Sequence, residues 1–236
     1  MEEANKRALL AHAVPYGAWW ALKFALDVPA IPAAWQYAIR SVICLVVFLV
    51  FRPWQWYPRL RLRHVPLGIG VGIFIFFVWV GPESASFKSF SPTFHSLYQR
   101  FCIGIFWATR EVVTPPPYAP STCGWTLALA RLAGSSFVIA FIEEFFFRGF
   151  LYRFAIGGIE KFSKIDPGTV DPIMFMLVAA TFAFEHNEWL AGLVCGLAYG
   201  WLFVQSRDIW AAGIAHMTTN FLLSIYVLWT GAHQFW

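Results

Sequence analysis

From Thr122 to Gly157 the chain reads TCGWTLALARLAGSSFVIAFIEEFFFRGFLYRFAIG. Up to Ile142 its only charge is Arg131, and the run is long enough for a membrane-crossing helix, which needs about 20 apolar residues at 1.5 Å each. Then Glu143, Glu144 and Arg148 interrupt an aromatic tract. A charge near the centre of such a helix costs about 2.5–3.5 kcal/mol even on a lenient insertion scale. Three together call for a specific reason.

The rest of the chain has the same character. Of 236 residues, 59% are hydrophobic, 19% aromatic and only 13% charged. An ordinary soluble domain is about 45–50% apolar and about 25% charged. A core of this size cannot bury so many rings behind so little polar surface. A soluble globule, a disordered tail and a nucleic-acid-binding arm are poor readings. The composition predicts an all-α, polytopic transmembrane bundle with membrane lipids as its surroundings.

Apolar stretches fall at 8–28, 33–51, 65–80, 122–142 (continuing to about 157), 172–187, 189–205 and 209–230. They predict about seven or eight membrane helices. The first is interrupted by Pro15, Lys23 and Asp27, and those at 65–80 and 172–187 are short for spanning. Residues 1–121 then form N-terminal helices and a long polar loop, and 122–236 a second group of transmembrane helices. The connection 52–64 is basic and aromatic; 81–120 is polar, ends in Pro115, Pro116 and Pro117, and is expected to include an interfacial stretch from Phe101 to Trp107. Trp54, Trp56, Trp189, Trp210 and Trp236 fall near span ends, where Trp anchors helices to the interface.

Lys and Arg set orientation. Arg52, Arg59, Arg61 and Arg63 share a side with Lys6, Arg7, Lys161, Lys164 and Arg207, against Lys23, Lys88, Arg100 and Arg110. The N-terminus is therefore expected in the cytoplasm, in a multi-pass integral membrane protein. The start, MEEANKR, lacks the features of a cleaved secretory signal. Cys44 and Cys195 sit in apolar runs as packing residues, and a Cys102–Cys123 disulfide is the less favoured reading of the other two.

Three polar groups lie on separate spans. On a helix, Glu144 and Arg148 are i,i+4 partners, while Glu143 points about 100° away, which suits a general base. TFAFEHNEW (181–189) carries His186 one turn after Phe182, with Glu185 and Glu188 alongside; GIAHMTTNF (213–221) puts His216 and Asn220 on one face. Measured from the basic side, Glu143 and His186 lie roughly 22 and 21 Å deep, His216 and Asn220 roughly 12 and 18 Å. With tilt they can share one level. A buried carboxylate and a histidine can activate water, while a second histidine and an amide donate to an oxyanion. That chemistry is acyl hydrolysis, with a peptide bond as the expected target. Glu143, His186 and His216 are also residue types that ligate Zn²⁺ with an open position. Gly192, Gly196 and Gly200 form an i,i+4 ladder for close helix packing.

Glu143-Glu144-Phe-Phe-Phe-Arg148, Phe182-Ala-Phe-Glu-His186 and His216-Met-Thr-Thr-Asn220, with RGFL at 148–151, resemble the EExxxR, FxxxH and HxxxN or HxxxD motifs of the CAAX-protease and bacteriocin-processing superfamily. The resemblance covers about residues 122–230. It implies an intramembrane protease of the glutamate type, without a metal cofactor, acting on a membrane-anchored or lipidated protein or peptide. Glu143 and His186 then match the water-activating pair, His216 and Asn220 the oxyanion pair, and Glu144 and Arg148 supporting residues. The aromatic tone and the placement of the motifs also resemble a bacterial branch found beside exosortase-type sorting systems. Alternatives are a non-catalytic scaffold or immunity-type protein, a zinc-dependent protease and a proton-relaying transporter; the lack of an inverted repeat argues against the last.

Overall fold

Caps and breakers in the sequence divide the chain where the helices begin and end. The computed structural model describes residues 3–104 and 113–236. Among them the chain forms nine helices and no strand, apart from short tight turns. They are α1 (Glu3–Ala25), α2 (Ala33–Phe51), α3 (Val65–Val80), α4 (Ala85–Phe90), α5 (Pro92–Phe101), α6 (Pro120–Gly157), α7 (Pro172–Ala183), α8 (Trp189–Ser206) and α9 (Ile209–Thr230). Asp171 accepts from the amides of Ile173 and Met174 at the start of α7, and Asp208 from that of Trp210 at the start of α9. These caps satisfy amides that a helix start leaves bare. Gly231 ends α9 at φ 71°, a left-handed conformation that glycine adopts without a Cβ clash.

All seven apolar stretches fold as helices, but five helical segments among the described residues are long and apolar enough to cross a membrane. They comprise α2, α3, α6, α8 and α9, α2 and α3 with their adjoining turns. α1 has the length, yet Glu3, Lys6, Arg7 and Lys23 lower its hydropathy. α7 has 12 residues, about 18 Å of helix against a hydrocarbon core of about 30 Å. The stretch expected over 172–187 stops at Ala183, so His186 sits on the turn beyond the helix. Of the interfacial stretch expected from Phe101 to Trp107, residues 105–107 lie outside the described residues, as does Arg110. The four cysteines are free thiols, Cys44 and Cys195 buried.

The ends of the helices define two faces. The start of α1 meets the connection after α6: Asn5 donates to the Glu160 carbonyl and accepts from Ser163. The basic connection 52–64 joins the same face, where Asp208 contacts His64 Nδ1 at 3.0 Å. At the other face, the Gly104 amide donates to the Asn187 carbonyl and the Trp189 indole to the Phe101 carbonyl. Val46, Val50, Phe74, Phe77 and Leu177 stay exposed along the helices, an outer belt suited to acyl chains.

Glycines set the closest approaches. α8 packs antiparallel on α7, with Gly192 facing Ala183, Gly196 facing Ala179 and Gly200 facing Phe175. α3 runs alongside α9, with Gly68 against Ala211 and Gly72 against Ala215 and Thr218. A Cβ on Gly72 would lie 2.5 Å from the Ala215 carbonyl oxygen and 2.6 Å from Thr218 Cβ, whereas one on Gly70 meets nothing within 4 Å. Gly72→Ala is therefore expected to cost about 1–3 kcal/mol through overpacking. Thermal unfolding in detergent should show a lowered midpoint for Gly72→Ala and an unchanged one for Gly70→Ala.

Candidate active site

α6 positions the acidic pair by a local departure from regular winding. Residues 134–139 and 145–151 wind as π turns, and Ala140–Glu144 lies between them as ordinary α-helix. Such turns are rare and frequent at functional sites. The intervening segment turns Glu144 into the core, fully buried, while the Glu143 side chain stays 13% exposed.

Glu144 is a hub. Its Oε1 accepts from Arg148 Nη1 at 3.0 Å and from His216 Nδ1 at 2.9 Å. Arg148 Nη2 continues to the Gly196 carbonyl at 3.1 Å, and its guanidinium lies 4.5 Å from the centre of the Phe182 ring. The Glu144–Arg148 pair expected from helical spacing thus forms, and it ties α6 to α8 and α9.

A carboxylate can only accept, so His216 Nδ1 carries the hydrogen and the opposite ring nitrogen is turned away. That nitrogen, Nε2, stands 3.7 Å from Glu143 Oε2, beyond hydrogen-bond range. Tyr199 and Phe182 pack on the His216 ring, centroids 5.2 and 5.7 Å away. Tyr199 is itself fixed by its hydroxyl on Thr219 Oγ1 at 2.6 Å.

His186 is oriented in the same way. Its Nδ1 lies 3.0 Å from the Phe182 carbonyl oxygen, which again places the hydrogen on Nδ1 and leaves Nε2 as the working nitrogen. Trp79 meets the ring edge-on at 5.3 Å. Asn220 gives one amide N–H to the Ser135 carbonyl at 2.9 Å and keeps the other.

Glu143, His186, His216 and Asn220 all line one cavity of about 300 Å³. The four residues that sequence spacing places at one depth therefore do meet, with Glu144 and Arg148 directly behind them. Glu185 and Glu188 line the same cavity. Ser135, Trp79 and Tyr199 carry no sequence signal that marks them as partners of the site. Only their place near the motifs in space identifies them. Among the described residues no three His, Cys, Asp or Glu side chains are grouped closely enough to hold a metal ion.

Residues 125–222 match the family described as type II CAAX prenyl endopeptidase Rce1-like. Over that segment the chain is similar to the CAAX-protease superfamily. All three motifs, at 143–148, 182–186 and 216–220, fall inside the matched segment. No curated protein and no solved structure matches the chain. The match supports a coarse function, a CAAX-type membrane endopeptidase, and agrees with an integral membrane protein of apolar helices. The matched segment begins in α6 and ends in α9, the elements that carry the acidic pair and the His216–Asn220 pair.

Proposed function

We propose that this protein is an intramembrane endopeptidase of the glutamate type that hydrolyses a peptide bond in a membrane-anchored or lipidated protein. The observation that supports it most is the pairing of the two carboxylates with one imidazole. Glu144 fixes His216 from behind, and Glu143 faces the same ring's other nitrogen across a 3.7 Å gap, at the wall of the cavity.

In this reading Glu143 takes a proton from water as the water oxygen bonds to the scissile carbonyl carbon, and His186 Nε2 holds that water. The developing oxyanion accepts from His216 Nε2–H, with the ring doubly protonated against Glu144, and from the free N–H of Asn220. The C–N bond then breaks, and Glu143 returns the proton to the leaving amine. Residues 1–121 would serve as the part that encloses the site, and the basic connection 52–64 would face the cytoplasm with the N-terminus. The substrate class follows from the membrane setting.

His186→Ala is expected to lower hydrolysis of an N-acylated peptide in lipid nanodiscs by about 10²–10⁴-fold, with the unfolding midpoint unchanged. Processing at the normal rate in that variant would overturn the assignment. The same preparation, assayed for bound metal and for activity after chelation, separates the mechanisms: full activity in metal-free protein supports the carboxylate route, and loss restored by Zn²⁺ overturns it.

A further inference from the structure

Three cations that lie far apart in the sequence converge in the structure. Lys23 of α1, Arg40 of α2 and Arg131 of α6 line the same cavity as Glu143 and His186. Arg40 stacks on Trp19, its guanidinium carbon 4.1 Å from the ring centroid, and lies 5.1 Å from that of Tyr37. Arg131 lies 4.1 Å from the Tyr37 centroid and 5.0 Å from that of Tyr118. Arg40 is close enough to both other cations for mutual repulsion.

Among the described residues none of the three forms an ion pair with a carboxylate. The Nε atoms of Arg40 and Arg131 are buried without a hydrogen-bond partner. Asp27 acts on Lys23 and shares with Lys23 and Arg40 the wall of an adjoining cavity of about 250 Å³. Glu143, Glu185 and Glu188 line the same cavity, but among the described residues no ion pair joins a carboxylate to any of the three cations, and clustered positive charge without a close counter-charge in such surroundings is costly. The aromatic rings hold the guanidinium planes, and the tyrosine hydroxyls offer neutral acceptors but no negative charge.

We propose that Lys23, Arg40 and Arg131 form an anion subsite that receives a carboxylate of the peptide substrate. This rests on the peptidase reading above. The shared cavity favours a substrate group over a separately bound anion, because an occupant of one end is continuous with the other. Arg131 precedes Glu143 by twelve residues on α6, about 18 Å along the helix, which an extended peptide covers in about five residues. The carboxylate, whether the chain terminus or an acidic side chain, therefore sits about five residues from the bond that is cut.

The test uses the full chain with Glu143→Gln, so that peptides bind uncleaved, in phosphatidylcholine nanodiscs. The probes are N-palmitoylated peptides with a neutral fluorophore, ending three to seven residues past the acylated segment in a free carboxylate, an amide, or an amide preceded by Asp. The carboxylate forms are expected to bind about tenfold more tightly than the plain amide. Arg40→Gln or Arg131→Gln should reduce that preference to less than about twofold. The free-terminus and Asp probes separate the two sources of carboxylate. Equal binding of carboxylate and amide overturns the subsite, and so does a preference untouched by both substitutions. Displacement of every peptide by phosphatidylglycerol, lost in Arg131→Gln, assigns the cations to lipid headgroups and also overturns it.

A purely structural role would lower the unfolding midpoint of the Arg40 and Arg131 variants. Removal of an uncompensated cation should leave it unchanged or raised. Cleavage of the same peptides by the unsubstituted chain is scored separately. Carboxylate preference without cleavage defeats the peptidase reading alone; cleavage without the preference defeats the subsite alone.

Discussion

Glu143→Gln is expected to reduce peptide hydrolysis by about 10²–10⁴-fold, or about 2.7–5.5 kcal/mol in the barrier, with no loss of stability. The substitution keeps shape and polarity and removes the ability to take a proton. Glu143 is suited to such a clean test because it supports little else. Its nearest charged partner is His216 Nε2 at 3.7 Å, and the buried hydrogen bonds run through Glu144 instead. Glu185→Gln is the matched control, since Glu185 lines the same cavity from the turn after α7. Hydrolysis should fall in the first variant and persist in the second. Loss in Glu185→Gln with activity retained in Glu143→Gln would move the base to the α7–α8 turn and overturn the assignment of Glu143.

The acidic pair shows why much of the site is legible in the sequence. With 13% charged residues, each charge inside an apolar run stands out, and helical spacing alone separates the inward Glu144–Arg148 pair from Glu143. The depth comparison succeeds for a related reason. Spans of fixed rise tie residue number to height, so motifs within or just past successive helices can be compared in depth from their numbers. The glycine ladder is equally direct, because small residues at i,i+4 leave one face that another backbone can approach.

Other features depend on contacts between helices and leave no local trace. Spacing pairs His216 with Asn220 as an oxyanion donor. Its anchoring by Glu144 comes from a residue 72 positions away. Continuous hydrophobicity through 172–187 conceals the turn after Ala183, which moves His186 off the helix. The π turns flanking Ala140–Glu144 have no residue signature in a tract of aromatic side chains. Lys23 and Arg40 sit in the sequence as isolated charges on separate apolar stretches; only the docking of α1 and α2 beside α6 makes them neighbours of Arg131.

Glu144→Ala is expected to lose about 3–5 kcal/mol of stability, because it strips a buried guanidinium of its carboxylate partner. Both donors meet the same oxygen, Oε1, while Oε2 is buried without a partner. The hub is therefore held by charge and a shared acceptor rather than by complete hydrogen bonding. Its removal leaves Arg148 with the Gly196 carbonyl and the Phe182 face, and frees His216 Nδ1. Hydrolysis should fall as well, since the Nδ1–Glu144 bond is the hydrogen bond that aims Nε2. Combining Glu144→Leu with Arg148→Met separates the two effects. Replacing a whole buried pair by apolar groups of similar size is often neutral, so the double variant should recover most of the unfolding midpoint. It should not recover hydrolysis, because His216 remains unanchored. A Glu144→Ala midpoint equal to that of Glu143→Gln would show that the hub does not hold the helices together, and recovery of hydrolysis in the double variant would show that it does not orient His216.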